Sequence, residues 1–181
     1  MRRLFSKLFS PKLASAPSAV ISELSVQATD REQKKIYIIG SLKNGEVRAV
    51  ANKLRALGYE VFDDWQAAHP DADDNWRDYE KNRGRTYKEA LVGHAARQVY
   101  EFDKRHLDDS DVAILLLPAG RSGHLELGYF VGQGKPGYIL LDNPDRWDVM
   151  YQFAHGVFES FEDLENVLTS QHQPGRVVHE D

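Results

Sequence analysis

The sequence predicts an α/β fold in which helices cover both faces of a parallel β-sheet. Residues 111–117 form an aliphatic run after the first Asp, and Pro118 closes it. The run is too short for a membrane span and is typical of a strand that is buried on both faces. Residues 35–39 and 137–141 are similar runs of branched and aromatic residues. Segments with apolar residues three and four positions apart separate these strands, which indicates connecting helices.

The first elements form a β-α-β unit. The strand at residues 35–39 stops at Gly40, and apolar residues then recur at helical spacing through residues 45–57. Gly58 ends this helix, because glycine adopts the left-handed conformation that closes many helices. A second strand follows at residues 59–62. The connection is therefore expected to be a right-handed crossover between parallel strands.

The next segment, residues 63–85, breaks the pattern, since it holds six Asp and two Trp residues without an apolar period. It leaves the second strand at the edge of the sheet where ligands bind in open α/β folds, so we predict a lid-like loop there. A long helix is expected over residues 86–106. The buried strand at 111–117 follows it, and a further helix is expected to start at His124.

The last elements complete the sheet. A strand is predicted at residues 137–141, a helix at 145–154, a short strand at 156–158 and a final helix that ends at about residue 168. Ser160 and Asp163 have the spacing of a capping box for that helix. The element order predicts a flavodoxin-like, doubly wound three-layer sandwich with a five-stranded parallel sheet.

Length and composition indicate one domain, at residues 35–168. A chain of 181 residues with 41% hydrophobic and 28% charged residues builds one globular core and has no run long enough for stable membrane insertion. Residues 1–34 carry six basic and three acidic residues, are rich in Ser and Ala, and are predicted to be a disordered basic leader. Residues 169–181 are predicted to be a C-terminal tail. Because cysteines are absent and no secretory signal is visible, we expect a cytoplasmic protein.

Two acidic residues are candidates for chemistry. Glu126 follows the buried strand in the first turns of the predicted helix, where the helix dipole favours an ionised carboxylate that can act as a nucleophile. Asp103 lies near the end of the preceding helix, where the dipole disfavours an acid. From the residues alone, an ordinary surface Asp beside Lys104 and Arg105 is the favoured interpretation.

Four motifs in order make the sequence resemble the nucleoside 2-deoxyribosyltransferase superfamily, which includes nucleoside 5'-monophosphate N-glycosidases. They are residues 35–37 running into Gly40, Asp103 eight residues before Asp111, residues 126–129 (Glu-Leu-Gly-Tyr), and residues 133–135 (Gln-Gly-Lys). The resemblance implies that Glu126 is the nucleophile, that Tyr37 orients its carboxylate, and that Asp103 interacts with the leaving base. It also implies a homodimer or larger homo-oligomer, because family members complete their sites across subunit contacts.

The turn before Glu126 departs from the transferases of this superfamily, which often carry an acid there. Here the turn is Gly-Arg-Ser-Gly at residues 120–123, followed by His124. An Arg, a hydroxyl group and backbone N–H groups at a helix N-terminus are suited to a phosphate group, which resembles the monophosphate hydrolases. The predicted substrate-binding residues are Gly40, Ser41, Lys43, Trp65, Arg121, Ser122, Gly123 and His124. Open alternatives are an ordinary surface charge for Lys43, a core anchor for Trp65, and helix capping or solvent exposure for His124.

These features predict an enzyme that cleaves the N-glycosidic bond of a 2'-deoxynucleoside or its 5'-monophosphate and passes the sugar to a base or to water. We expect no metal, since no His pair has zinc spacing with a third ligand, no cofactor, and no nucleic-acid polymer as partner. Two alternatives remain open at this point. One is a glycohydrolase similar to TIR domains that acts on NAD, and the other is a nucleotide-sensing module without catalysis.

Overall fold

The computed structural model describes residues 33–141 and 147–170, and the part so described holds a five-stranded parallel sheet. The strands are β1 (Lys35–Ile39), β2 (Glu60–Phe62), β3 (Val112–Leu116), β4 (Gly137–Leu140) and β5 (Gly156–Phe158). Their order in the sheet is β2-β1-β3-β4-β5. This is the strand order of flavodoxin-like folds, so the predicted fold class is confirmed.

The burial of the central strand, β3, accounts for the aliphatic run in the sequence at residues 111–117. All five residues of β3 are buried, because β1 and β4 pair with its two edges and helices cover both of its faces. Residues of β1 alternate between the two faces. Ile36 and Ile38 belong to one apolar core, whereas Tyr37 and Ile39 belong to the other.

Six α-helices surround the sheet in the described part of the chain. They are α1 (Val47–Ala56), α2 (Ala72–Asn82), α3 (Tyr87–Leu91), α4 (His94–Asp108), α5 (Arg121–Gly132) and α6 (Phe161–Ser170). Helices α1 and α6 contribute to the core around Ile36, and α4 and α5 contribute to the core around Tyr37. Ser160 caps α6 as predicted, since its Oγ accepts a hydrogen bond from the Asp163 N–H (3.1 Å).

The segment that we predicted as a loop, residues 63–85, is largely helical. A 3-10 turn at Asp64–Ala67 precedes α2. Acidic residues occupy the first turn of α2, where the helix dipole favours them, and Gly84 follows its end with a positive φ of 72°. The one buried residue of α2 is Glu80, whose carboxylate accepts a hydrogen bond from Arg85 (3.1 Å). The helix therefore has no apolar stripe from which it could be predicted.

The single helix predicted over residues 86–106 is two helices. Thr86 and Glu89 form a capping box that starts α3. The helical conformation is interrupted before Gly93, which is the N-cap residue of α4. A Cβ atom at residue 93 would lie 2.9 Å from the Ala90 carbonyl oxygen, so the tight reversal between α3 and α4 requires glycine.

The remaining differences lie near the C-terminus. The predicted helix at 145–154 is a 3-10 turn at Val149–Phe153, with residues 142–146 outside the described part. Helix α6 extends two residues past the predicted end at 168. The predicted leader and tail lie outside the described residues, except for residues 33–34 and 169–170. No helix in the described ranges has the length and hydropathy to cross a membrane.

Candidate active site

A cleft between α4 and α5 brings the three predicted catalytic residues together. We call it the α4–α5 cleft, and it is lined by Tyr37, Tyr100, Asp103, Lys104, Leu107, Leu125, Glu126 and Tyr129. Its volume of about 270 Å³ is close to the lower end of the range of about 300–1,000 Å³ that is usual for small-molecule sites. Tyr37 is the middle residue of β1, so the cleft lies against one face of the sheet rather than beyond the strand ends, where we expected it.

Glu126 enters the cleft from the second turn of α5. The helix begins at Arg121, three residues before the predicted start at His124, and Glu126 is its sixth residue. The helix dipole acts mainly within the first turn, so it does not dominate the ionisation of Glu126 as we had predicted. Burial raises the pKa of Glu126 to about 7, and the negative charge of Asp103 contributes to the same shift. The prediction of a carboxylate stabilised as an anion was therefore wrong in direction.

Asp103 faces the cleft from the middle of α4, where it is half-buried. Its pKa is raised to about 6, and the cause is burial in the apolar cleft. The predicted direction of this shift was right, but the predicted cause, the dipole at the end of a helix, was not. Two carboxyl groups with pKa values of about 6 and about 7 hold one proton between them at about pH 6.5.

Tyr37 lies beneath both carboxyl groups. Its side chain is 1% exposed, and burial raises the pKa of its phenol, with further contributions from the charges of Asp103 and Glu126. A phenol that keeps its proton throughout the physiological range is a hydrogen-bond donor to a neighbouring carboxylate. Tyr37 therefore has the burial and the protonation state that an orienting residue needs.

Five other residues of the cleft were not predicted. On α4, helical spacing of three or four positions places Tyr100 and Leu107 on the same face as Asp103, with Lys104 beside them. On α5, Tyr129 lies three positions after Glu126 and therefore on the same face. That spacing is the signal from which they could have been found. Tyr100 and Leu125, which line the cleft, are 63% and 75% exposed.

Trp65 packs on the sheet edge outside the cleft. Its indole Nε1–H donates to the Ile38 carbonyl oxygen (2.8 Å), and a Cβ atom on Gly40 would lie 3.2 Å from its ring. Gly40 thus permits the close approach of the indole to the end of β1. These contacts favour the anchoring alternative for Trp65 and give Gly40 a packing role.

Ser41 and Lys43 belong to the loop after β1 and are engaged locally. The Ser41 Oγ accepts a hydrogen bond from the Lys43 N–H (3.2 Å). The Lys43 ammonium forms exposed ion pairs with Asp71 (3.8 Å) and Asp74 (3.5 Å) at the start of α2. Neither residue lines the cleft, and the ion pairs favour a surface role for Lys43.

The residues at the start of α5 differ in their surroundings. Gly123 is buried, and a Cβ atom there would lie 3.0 Å from Ile39, so it lets α5 approach the sheet closely. The ring nitrogens of His124 lie 2.8 Å from the Gly120 carbonyl oxygen and 3.1 Å from the Tyr151 hydroxyl group, so the ring bridges the start of α5 and the 3-10 turn at Val149–Phe153.

Arg121 and Ser122 are exposed, and the N-cap residue Gly120 provides no side chain to the first N–H groups of α5. Ser122 lies four positions before Glu126 and therefore on the same face of the helix. Among residues 33–141 and 147–170, no three His, Asp or Glu side chains form a cluster that could hold a metal ion.

The fold resembles that of a solved enzyme. The chain matches the structure of a 2-deoxyribosyltransferase from the psychrotolerant bacterium Bacillus psychrosaccharolyticus with a TM-score of 0.50 and 22% sequence identity. The match covers 73% of this chain and 90% of the other. The sequence matches no protein-family model, and no curated protein matches it. The resemblance seen in the motifs thus extends to three dimensions, and the chain has the fold of a 2-deoxyribosyltransferase.

Proposed function

We propose that this chain belongs to the nucleoside 2-deoxyribosyltransferase superfamily and cleaves the N-glycosidic bond of a 2'-deoxynucleoside or its 5'-monophosphate. The observation that carries the proposal is the meeting of Glu126, Asp103 and Tyr37 in one cleft, although they are distant in sequence. Two carboxyl groups that share a proton beside an apolar surface are the groups that glycosidic cleavage requires.

The reaction proceeds in two steps. The Glu126 carboxylate attacks C1' of the sugar while the bond from C1' to the base nitrogen breaks, and the bonding electron pair leaves with the base. The carboxyl group of Asp103 donates a proton or a hydrogen bond to that base. Water or a second base then attacks C1' and passes a proton to the Asp103 carboxylate, and the ester bond to Glu126 breaks. The sugar is transferred, and the carboxylate is regenerated.

The reaction requires a particular protonation state of the two carboxyl groups. The competent form carries one proton, on Asp103, with Glu126 ionised. The other singly protonated form carries the proton on Glu126 and is inactive in this scheme. The Tyr37 phenol, which stays protonated, is suited to donate a hydrogen bond to the Glu126 carboxylate and to favour the competent form.

The start of α5 supports a 5'-monophosphate as the substrate. Arg121, Ser122 and the uncapped N–H groups lie one helical turn, about 6 Å along the axis, before Glu126. A phosphate there would meet a cation, a hydroxyl group and the positive end of the helix dipole while the sugar stays at Glu126. Lys43 is less suited to this role, because it is paired with Asp71 and Asp74.

The exposed apolar rim supports the predicted homo-oligomer. Tyr100 and Leu125 stand at the open side of the cleft, where a second subunit would cover them. Size-exclusion chromatography with light scattering measures the mass in solution. A mass of a dimer or larger assembly is expected, and a monomer at micromolar concentration would contradict this part of the proposal.

The activity is tested with purified full-length protein and a panel of 2'-deoxynucleosides, their 5'-monophosphates and NAD. Released base is measured by chromatography, with and without an acceptor base. Base release from a deoxynucleoside or its monophosphate is expected, and it should be lost in Glu126→Gln but kept in the matched control Glu101→Gln, which changes an exposed residue of α4 outside the cleft. Nicotinamide release alone would favour an NAD glycohydrolase, and binding without release would favour a sensing module.

A further inference from the structure

The carboxylate of Asp108 joins the two helices that form the α4–α5 cleft. Asp108 is the last residue of α4 and is half-buried. Its Oδ1 accepts a hydrogen bond from the Tyr129 hydroxyl group of α5 (2.7 Å), and its Oδ2 accepts one from the Lys104 ammonium group of α4. A single side chain thus holds two of the residues that line the cleft.

Two further contacts hold the same arrangement. The Lys104 Nζ lies 5.0 Å from the centroid of the Tyr129 ring, a distance at which a cation is attracted to the face of an aromatic ring. Lys135, which follows α5, donates from its Nζ to the backbone oxygens of Asp108 and Ser110. The end of α4 is therefore bound to α5 through Tyr129 and to the start of β4 through Lys135.

This network is adjacent to both reactive carboxyl groups. Lys104 directly follows Asp103, and Tyr129 lies one helical turn after Glu126. The charged or titratable groups around the cleft are Tyr100, Asp103, Lys104 and Asp108 from α4, Glu126 and Tyr129 from α5, Tyr37 from β1, and Lys135 behind Asp108. The Lys104 ammonium group forms its ion pair with Asp108, and among the described residues it forms none with Asp103 or Glu126, which line the same cleft. Burial raises the pKa of both carboxyl groups.

We propose that Asp108 is a positioning residue of the cleft, which holds the Lys104 ammonium group against Tyr129, keeps that charge away from Asp103 and Glu126, and fixes the spacing of α4 and α5. Its relevance to catalysis rests on the proposed function. Its effect on the two carboxyl groups does not, because their ionisation can be measured in the absence of any substrate.

Three variants separate charge from geometry. Asp108→Asn keeps the shape and an acceptor for the Tyr129 hydroxyl group but leaves Lys104 without its counter-charge. Asp108→Asn combined with Lys104→Met removes both charges. Asp109→Asn is the matched control, because Asp109 is the exposed neighbour of Asp108 and pairs with Lys35 at the start of β1. Titration of ¹³C-labelled side-chain carboxyl groups by NMR gives the pKa values of Asp103 and Glu126 in each protein.

We expect Asp108→Asn to lower the pKa of at least one of the two carboxyl groups by about one unit or more, since the released ammonium group pairs with the nearest anion. The double variant should restore the original values to within a few tenths of a unit, and Asp109→Asn should leave them unchanged. Unchanged pKa values in Asp108→Asn, or no reversal in the double variant, would overturn the proposal. This outcome is independent of turnover, so it is distinguishable from a failure of the proposed function.

Tyr129→Phe tests the geometric half of the proposal. The variant removes the hydrogen bond between the helices but leaves the pair of Lys104 and Asp108, which lie four positions apart on α4. If the protein turns over the substrate panel, kcat should fall by about tenfold through misplacement of the reacting groups, while the pH optimum stays in place. An unchanged kcat, or a shifted pH optimum in Tyr129→Phe, would contradict this division of roles.

Discussion

Replacement of Glu126 by Gln should stabilise the folded protein while it removes activity. A carboxyl group whose pKa is raised from 4.5 to about 7 by folding favours the folded state fully at pH values below about 4.5, and this stability is lost as the pH rises through about 7. At pH 8 the wild-type protein therefore carries the cost of an ionised Glu126 in the apolar cleft. The side-chain amide of the Glu126→Gln variant does not ionise, so the variant is free of this cost.

The size of the effect follows from the shift. A pKa change of about 2.5 units corresponds to about 3.5 kcal/mol at most, since one unit is about 1.4 kcal/mol. The cleft is open to solvent, and an amide has its own cost of burial, so we expect a net gain of about 1–2 kcal/mol at pH 8. At pH 5, just above the ordinary pKa of 4.5, only about a quarter of this gain should remain.

Urea unfolding of the wild type and the Glu126→Gln variant at pH 5 and pH 8 measures this difference. Glu101→Gln is the control for a change of net charge, because Glu101 is exposed on α4 and lies outside the cleft. Equal stability changes at the two pH values, or a loss of stability at pH 8, would show that Glu126 does not carry the cost of burial on which the account depends.

Three further predictions concern the pair of carboxyl groups, the packing of α5 and the phosphate. The pH dependence of kcat/KM should be bell-shaped with a maximum near pH 6.5. Below about pH 6 both Asp103 and Glu126 are protonated, and above about pH 7 both are ionised. A flat profile between pH 5 and 8 would contradict this prediction. Gly137→Ala should lower the free energy of unfolding, measured with heat or urea, by about 1–3 kcal/mol, because the new Cβ atom would lie 2.5 Å from Val131 of α5. Unchanged stability would argue against this packing. Arg121→Ala should raise KM for a 5'-monophosphate by at least tenfold and leave KM for the nucleoside unchanged, whereas equal effects on both substrates would rule out a phosphate contact.

The sheet could be predicted because the burial of each strand determines a pattern of apolar residues within a short stretch of sequence. A parallel strand that is covered on both faces reads as an uninterrupted aliphatic run, and β3 has this pattern. Helix α2 has none, since the residue that it buries is Glu80, which is paired with Arg85. Its signals are charge placement and a local ion pair at its C-terminal end, and apolar periodicity reports neither.

The start of α5 shows how a small error in an element boundary changes the chemistry. Arg121 and Ser122 give no apolar signal, and Gly120 provides no capping side chain, so the sequence indicated a start near His124. Glu126 then appeared to lie in the first turn, where the dipole would stabilise its anion. In the structure it lies one turn deeper and is half-buried, and burial reverses the expected shift of its pKa.

The candidate site was predictable in part. The motifs pointed to Tyr37, Asp103 and Glu126, and the structure brings these residues into one cleft. Helical spacing could have placed Lys104 and Tyr129 on the same helix faces as the two acids, but their contacts with Asp108 were not predictable, because spacing does not indicate what a face meets. The hydrogen bond from the Tyr129 hydroxyl group to the Asp108 carboxylate depends on the packing of α4 against α5.

The most direct test of the account is to trap the covalent intermediate on Glu126. A 2'-fluoro analogue of the substrate slows both steps of such a reaction, since fluorine destabilises the positive charge that develops at C1'. Peptide mass spectrometry of the quenched protein should then find the fluorinated sugar, with or without its 5'-phosphate, on Glu126. An adduct on another residue, or base release by Glu126→Gln at the wild-type rate, would contradict the account.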